Sequence, residues 1–481
     1  MEYIHYFLTT PEFIDKREND YDEPWLSYTE SGEKVHYNKR QNEKFLTFNI
    51  VSAGSLNWYA TSTAGTKTIQ YKKNNGEWEE ITSSTGGTEI TVSAGDKIQV
   101  KGNNNSYASN SNLSSFSGST AYFNMEGNIM SLIDETGYTE LSAITASSAF
   151  TCMFECTNVI SAEKLVLPAE NTYFACYYKM FAGCTALTIA PLELPSTSAW
   201  TASYYGMFSG CTSLLRTPKI LAKKVLASAC SSMFINCTSL TDASELPATE
   251  VYGEAYMEMF KGCTNLTGIT EILPAEIVRE RAYGAMFQYC EKITDVPKIL
   301  GRPSGNFSFY SMFAYCTSLT GLTGFSLTST SYGCCQGMFS KCTNLTTVPA
   351  SLINASGTAA WCYSSMFRDC TSLVTPPVLP ATGSIATNAY LGMFAGCTSL
   401  VSAPDILATS IGGTGAFQDM FSGCTNLNYV KFTLVSSYSP TSNYFLNWLA
   451  GVSPTGTFVK KANAQWTESD LIPAGWTIQT I

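Results

Sequence analysis

Thiols are the side chains in this sequence whose number and spacing first suggest chemistry. There are seventeen cysteines but only two histidines, His5 and His36. Eleven cysteines (Cys156, Cys184, Cys211, Cys237, Cys263, Cys290, Cys316, Cys342, Cys370, Cys397 and Cys424) recur every 26 to 28 residues. Zinc would want two Cys-x-x-Cys arms or histidines within reach, and the recurring motif has neither. Disulfides between neighbouring copies would require one residue to pair both up and down a stack. A free cysteine serves equally well as a small buried hydrophobe. That use fits synthesis in a reducing compartment.

The elements that carry these cysteines are repeats. The copies read aromatic-x-x-Met-Phe, then the cysteine and Thr, with the Met at 153, 180, 207, 233, 259, 286, 312, 338, 366, 393 and 420; Cys230 and Cys335 replace the aromatic in two copies and Glu291 the Thr in one. A fixed period of this size marks a solenoid, whose units bury their apolar faces only by stacking. Aromatic, Met, Phe and Cys fall at i, i+3, i+4 and i+7, which predicts one face of a short helix. A small residue precedes the aromatic in every copy. Cys176, Cys334 and Cys362 take this slot where Ala or Ser stands elsewhere, so their role there is size. A Leu, Val or Ile three residues past the cysteine opens a short strand closed by Pro, as in Thr188-Ile189-Ala190-Pro191-Leu192-Glu193-Leu194-Pro195. The expected fold is an α+β solenoid of about eleven turns, each a short helix plus a short strand, roughly 50 Å long.

Phe-x-x-Cys-Thr-x-Leu with a following Leu-Pro, as at 180–187, resembles the BspA-type leucine-rich repeats of Bacteroides surface proteins and of Bacteroides phage (crAss-like) fibre proteins. The resemblance covers about residues 145–435. It implies surface recognition or adhesion and supplies no catalytic, cofactor or metal residues.

The flanks differ from the repeats. Residues 1–45 hold ten acidic and six basic side chains around isolated aromatics, too charged for a core of their own, and read as an N-terminal docking arm. The stretch from Pro24-Trp25 to Asn38-Lys39 is similar to the leader of Bacteroides phage structural proteins, which supports that reading. Residues 46–135 alternate as short strands. Asn74-Asn75-Gly76 sets one hairpin and Ser93-Ala94-Gly95-Asp96 predicts another, which gives a small immunoglobulin-like β-sandwich. The solenoid then spans 136–431, and 432–481, with Trp448, Trp466 and Trp476, reads as its C-terminal cap.

Only 14% of residues are charged and the net charge is −10, which disfavours nucleic acid and anionic membrane surfaces as partners. The first residues lack the basic and apolar regions of a secretory leader, and no run is long enough to span a membrane. A bacterial adhesin would need export; a phage structural protein is made in the host cytoplasm and released by lysis. The expectation is therefore a non-enzymatic virion fibre or appendage that adheres to a host-surface glycan or protein. The resemblance implies contact with other virion proteins through the arm, and homo-oligomers, often trimers. Alternatives are a structural virion decoration or spacer, and a bacterial cell-surface adhesin. A hydrolase would want paired carboxylates, and no acidic pair recurs in the repeats. Residues that the repeat leaves free are candidates for binding. Tyr178, Trp200, Tyr205 and Trp361 could stack on sugar rings or cover neighbouring turns. Arg216 lies among the variable residues five past each cysteine.

Overall fold

The computed structural model describes residues 39–109, 112–322, 325–434, 443–464 and 471–481. Nearly all of the expected docking arm, together with Trp466, lies outside the described residues.

Past a one-turn helix at Lys39–Asn42, the chain forms two sheets. The strands are β1 (Leu46–Ile50), β2 (Gly54–Ala60), β3 (Thr68–Lys73), β4 (Trp78–Thr82), β5 (Thr88–Val92), β6 (Lys97–Lys101), β7 (Ala108–Ser109), β8 (Asn112–Ser115), β9 (Phe123–Asn128) and β10 (Val159–Val166). One sheet runs β10-β9-β1-β6-β3-β4 and the other β5-β2-β8-β7. Phe48, Trp58 and Phe116 fill the space between them. The β3–β4 hairpin turns at Asn74 as its sequence predicts. The second expected hairpin does not form: β5 pairs with β2, and β6 with β1 and β3. Residues 93–96 instead carry the chain between sheets. Asp96 fixes that corner by accepting from the Ser93 N–H (2.7 Å) and pairing with Lys73 (2.8 Å).

The sandwich is continuous with the solenoid. Its strand β9 pairs in parallel with β10 of the first repeat, and one apolar core runs from Leu46 to Trp476. Tyr107 stacks on Phe150 and Phe116 on Phe154, while the Tyr107 and Phe116 N–H groups donate to Ala149 and Met153 carbonyls. The sandwich thus supplies the rung that precedes the first repeat.

The expected helix of each repeat is not there. The only α-helix among the described residues is Lys39–Asn42. In its place stands a staircase of tight turns with a period of four. In the second repeat, Tyr178, Met180, Ala182 and Cys184 N–H groups bond back three residues, to Ala175, Tyr177, Lys179 and Phe181. The alternate N–H groups of Tyr177, Lys179, Phe181 and Gly183 cross to Ser203, Tyr205, Met207 and Ser209 of the next repeat at 2.7–2.9 Å. Every fourth residue (Ala175, Lys179, Gly183) takes a left-handed conformation, with φ of 53°, 50° and 72°. Two residues point in and two point out, so small residue, aromatic, Met, Phe and Cys all reach the core. An α-helix would bond every N–H within its own segment and leave neighbouring turns to side-chain packing alone.

The inward columns are regular. Phe154, Phe181, Phe208, Phe234 and their successors to Phe421 stack with centroids 5.4–5.7 Å apart. The parallel column of Tyr and Phe three residues before each Met is interrupted at Cys230 and Cys335. Phe325 fits edge-on against Phe309 beside the second gap. From Cys184 to Cys424, each motif thiol donates to the Phe carbonyl of the preceding turn at 3.0–3.2 Å. These cysteines therefore contribute a hydrogen bond as well as volume. Cys156 is the exception. It is exposed, and Thr157 occupies the core slot, with its hydroxyl on the Phe154 carbonyl (2.9 Å). The first copy is one residue short, so the motif's apparent alignment there is shifted by one.

Each repeat returns through short parallel contacts at more than one corner, not through a single strand. One ladder joins 193–194 to 219–220, and another links 198–199, 224–225, 250–251, 277–278 and 302–303. Residues 445–451 form a twelfth turn that the cap reading overlooks. Phe445 stacks on Phe417 at 5.3 Å, Trp448 stands in the Met place, and Asn447 and Gly451 are left-handed. The indole N–H groups of Trp448 and Trp476 donate to Leu471 and Ser453 carbonyls (both 2.8 Å), and both rings are buried, as end-cover requires. A parallel sheet of Tyr429–Lys431, Gly456–Lys460 and Trp476–Thr480 closes the stack.

Candidate functional surface

The outward pairs of the staircase form a wall whose side chains the core does not specify. Two of the five predicted site residues meet on it, and a third, Trp200, lies nearby in sequence in a separate ring pair. Tyr178 and Tyr205 share a column in repeats two and three, with rings 5.0 Å apart and 7° from parallel. Trp200, five residues before Tyr205, stacks on Tyr173 at 5.8 Å. The Lys179 ammonium lies 5.6 Å from the Tyr178 ring. Trp361 lies on the same wall in repeat nine, and Arg216 on a different corner, in a backbone bridge with Asp242. Neither joins the first cluster.

The stacking is between repeats, so paired rings turn one face to each other. What each pair offers a ligand is its edges and its two outermost faces. Sugar stacking on an open ring face is thus confined to the ends of each pair. The inner faces do what the alternative reading of these residues expects, covering neighbouring turns.

A second aromatic zone, of which the sequence singled out only Trp361, lies across repeats six to nine. Tyr289 and Tyr315 stack at 4.3 Å, and the Lys341 ammonium sits 4.9 Å from the Tyr315 ring. The Lys341 and Tyr289 hydrogen bonds lower the Tyr315 hydroxyl below its ordinary value, while bonding to Tyr315 raises that of Tyr289. The Arg281 guanidinium covers Phe307 at 5.7 Å. Tyr289, Phe307, Tyr315 and Trp361 all have positive φ, between 56° and 65°. A left-handed conformation costs a side-chain-bearing residue about 1–2 kcal/mol, and bulky residues rarely adopt it. The residue just before the motif cysteine is Gly in five repeats (Gly183, Gly210, Gly262, Gly396, Gly423), which shows what the backbone prefers there. That slot was the available signal: Tyr289 and Tyr315 stand where five repeats have glycine and three others have Asn236, Lys341 and Asp369.

Acidic groups on the wall are engaged locally. Glu258 pairs with Lys261 (2.6 Å) and Glu254 with Arg281 (3.4 Å), while Ser228 and Ser232 hydroxyls donate to the same two carboxylates. Burial raises the motif thiols, to about 12 for Cys184, Cys263, Cys370 and Cys424, so they are protonated and unreactive at neutral pH. Among the described residues, no group of three or more His, Cys, Asp or Glu is arranged to hold a metal ion. No helix among them is long and apolar enough to cross a membrane.

No protein-family model and no curated protein matches this chain. Among solved structures it is similar to a leucine-rich repeat protein from Bacteroides ovatus. The identity is 20%, the match covers 61% of this chain and 82% of that one, and the TM-score is 0.29. The solenoid is defined by its own ladders.

Proposed function

We propose that the chain is a non-enzymatic recognition protein, an appendage of a phage virion that attaches the particle to a glycan or protein on the host cell surface. The observation that carries this reading is the placement of Tyr289, Phe307, Tyr315 and Trp361 in left-handed positions. Bulky rings here take left-handed places that most other repeats give to Ala, Ser, Lys, Asn, Asp or Gly, and Tyr, Trp and Arg are the side chains that dominate binding hot spots. The fixed inward columns leave the wall free to vary. The virion setting, attachment through residues 1–45 and self-association as a homo-oligomer rest on the family resemblance.

One observation favours the alternative of a spacer or decoration: ring pairs such as Tyr178–Tyr205 spend a face of each ring on joining turns. Fluorescently labelled protein added to intact Bacteroides cells separates the two. Saturable binding, reduced at least about tenfold in a Tyr289→Gly/Tyr315→Gly variant, supports recognition. Absence of binding to any strain, with assembly onto particles retained, supports the spacer.

A further inference from the structure

Away from the wall, at another corner of the solenoid, the stack opens between repeats five and six. The backbone bridge Asp242–Gly268 closes one side of the opening, and the paired segments Ile272–Leu273 and Lys298–Ile299 close the other. No bridge joins Gly268 to Asp295 between them. The Thr267 and Gly268 N–H groups donate back to Thr241 of repeat four, and the Thr320 and Gly321 N–H groups donate back to Thr294 of repeat six, but no backbone bond crosses between 267–270 and 294–295. Side chains leave the gap unfilled: Gly268 presents none, and the Asp295 carboxyl leans over Gly321, where an added Cβ would meet it at 3.2 Å.

The result is a surface groove of about 490 Å³. Ile269, Val296 and Pro297 contribute apolar atoms, Thr267, Thr270 and Thr294 contribute hydroxyls, and Glu271, Asp295 and Lys298 contribute charge. We infer that this groove binds one pyranose unit of a neutral glycan. A pyranose has an apolar C–H face and a rim of hydroxyls that both donate and accept. Carboxylates accept from such hydroxyls and an ammonium donates to them, so the mixed lining matches. Two carboxylates against one ammonium, on a chain of net charge −10, disfavour uronic or sialic acids. An extended peptide is a poorer occupant, because residues 267–270 form no regular strand edge for such a peptide to pair with. The site deepens the recognition reading proposed above and rests on it.

Saturation-transfer difference NMR on the whole chain, with free glucose, galactose, mannose and N-acetylglucosamine as probes, tests the inference. Lys298→Ala and Glu271→Gln alter exposed side chains and leave the fold intact, whereas Asp295 also accepts the Val296 N–H (2.8 Å) and is avoided. The expected result is saturable transfer from at least one sugar, weakened about tenfold or more by either substitution and unchanged by Tyr289→Gly/Tyr315→Gly. Sugar binding that ignores both groove substitutions overturns the groove. So does the absence of sugar binding while the protein still binds host cells, and there the recognition reading survives. Loss of both cell and sugar binding removes the two together.

Discussion

Cys156 and the ten cysteines from Cys184 to Cys424 share a motif and differ in what their sulfur does. The ten are buried and donate to a carbonyl one turn back, whereas Cys156 faces solvent with its sulfur over Gly183. Iodoacetamide applied to the native protein should therefore label Cys156 alone among the cysteines, with all seventeen reacting after guanidinium unfolding. Several sites reacting under native conditions would contradict a packed thiol column. Replacing Cys237 by Ala removes its bond to the Phe208 carbonyl (3.1 Å) and should lower stability by about 1–2 kcal/mol in denaturant titration. The left-handed positions carry a further rule. A Cβ added at Gly262 would lie 2.3 Å from Asn236 Oδ1 of the preceding repeat, and the same relation holds between Asp369 and Gly396. Gly262→Ala should cost about 1–2 kcal/mol, and measurably less in an Asn236→Gly background, in a double-mutant cycle read by thermal unfolding.

At the scale of elements, the inward face was legible and its backbone was not. Aromatic, Met, Phe and Cys do line one core face. Over the eight steps from 176 to 184, however, a period of 3.6 and one of 4.0 drift apart by less than about one residue, so spacing alone reads as a helix. Gly183 and its counterparts carried the distinguishing signal, because glycine every fourth place suits repeated left-handed turns and weakens a helix. The strand side was read as one segment because its ladder contacts are two residues long, such as Lys224–Val225, too short for an alternating pattern to show. The twelfth turn was missed because Trp448 and Leu449 replace Met-Phe. Of the candidate site residues, Tyr178, Trp200 and Tyr205 were visible as aromatics off the core slots. The groove was not visible, since it arises where backbone pairing between two adjacent repeats is missing. The Phe column should behave as a cooperative element. Phe234→Ala, in mid-stack with rings 5.4 and 5.5 Å to either side, should cost about 3–5 kcal/mol and raise hydrogen exchange in repeats three to five first.

For the molecule as a whole, the sandwich acts as a template. Its β9 strand, Tyr107 and Phe116 form the rung on which the first repeat builds, so a chain beginning at residue 143 should aggregate on size-exclusion chromatography instead of folding. Glu126 sits on that junction strand. Burial pushes its carboxyl up, but Lys97 (2.9 Å) and Lys44 (3.2 Å) outweigh burial and hold it below its ordinary value. A carboxyl lowered by folding stabilises the protein above its unfolded pKa, and that contribution is lost as pH falls through the folded value. Glu126→Gln should therefore lower stability at neutral pH by about 1 kcal/mol, read as a lower melting temperature, and flatten its acid decline. The turn wall has one more property. Its inter-repeat N–H groups all point from one repeat to the next, from Phe150 to Cys176 through Gly423 to Ala450. Aligned peptide groups add their dipoles. In an α-helix the N–H groups point back toward the start of the chain, whereas here they point toward its end, so the electrostatic polarity of the wall is reversed. Its negative pole meets the donors of the sandwich, and its positive pole lies at the twelfth turn, facing whatever approaches from that end.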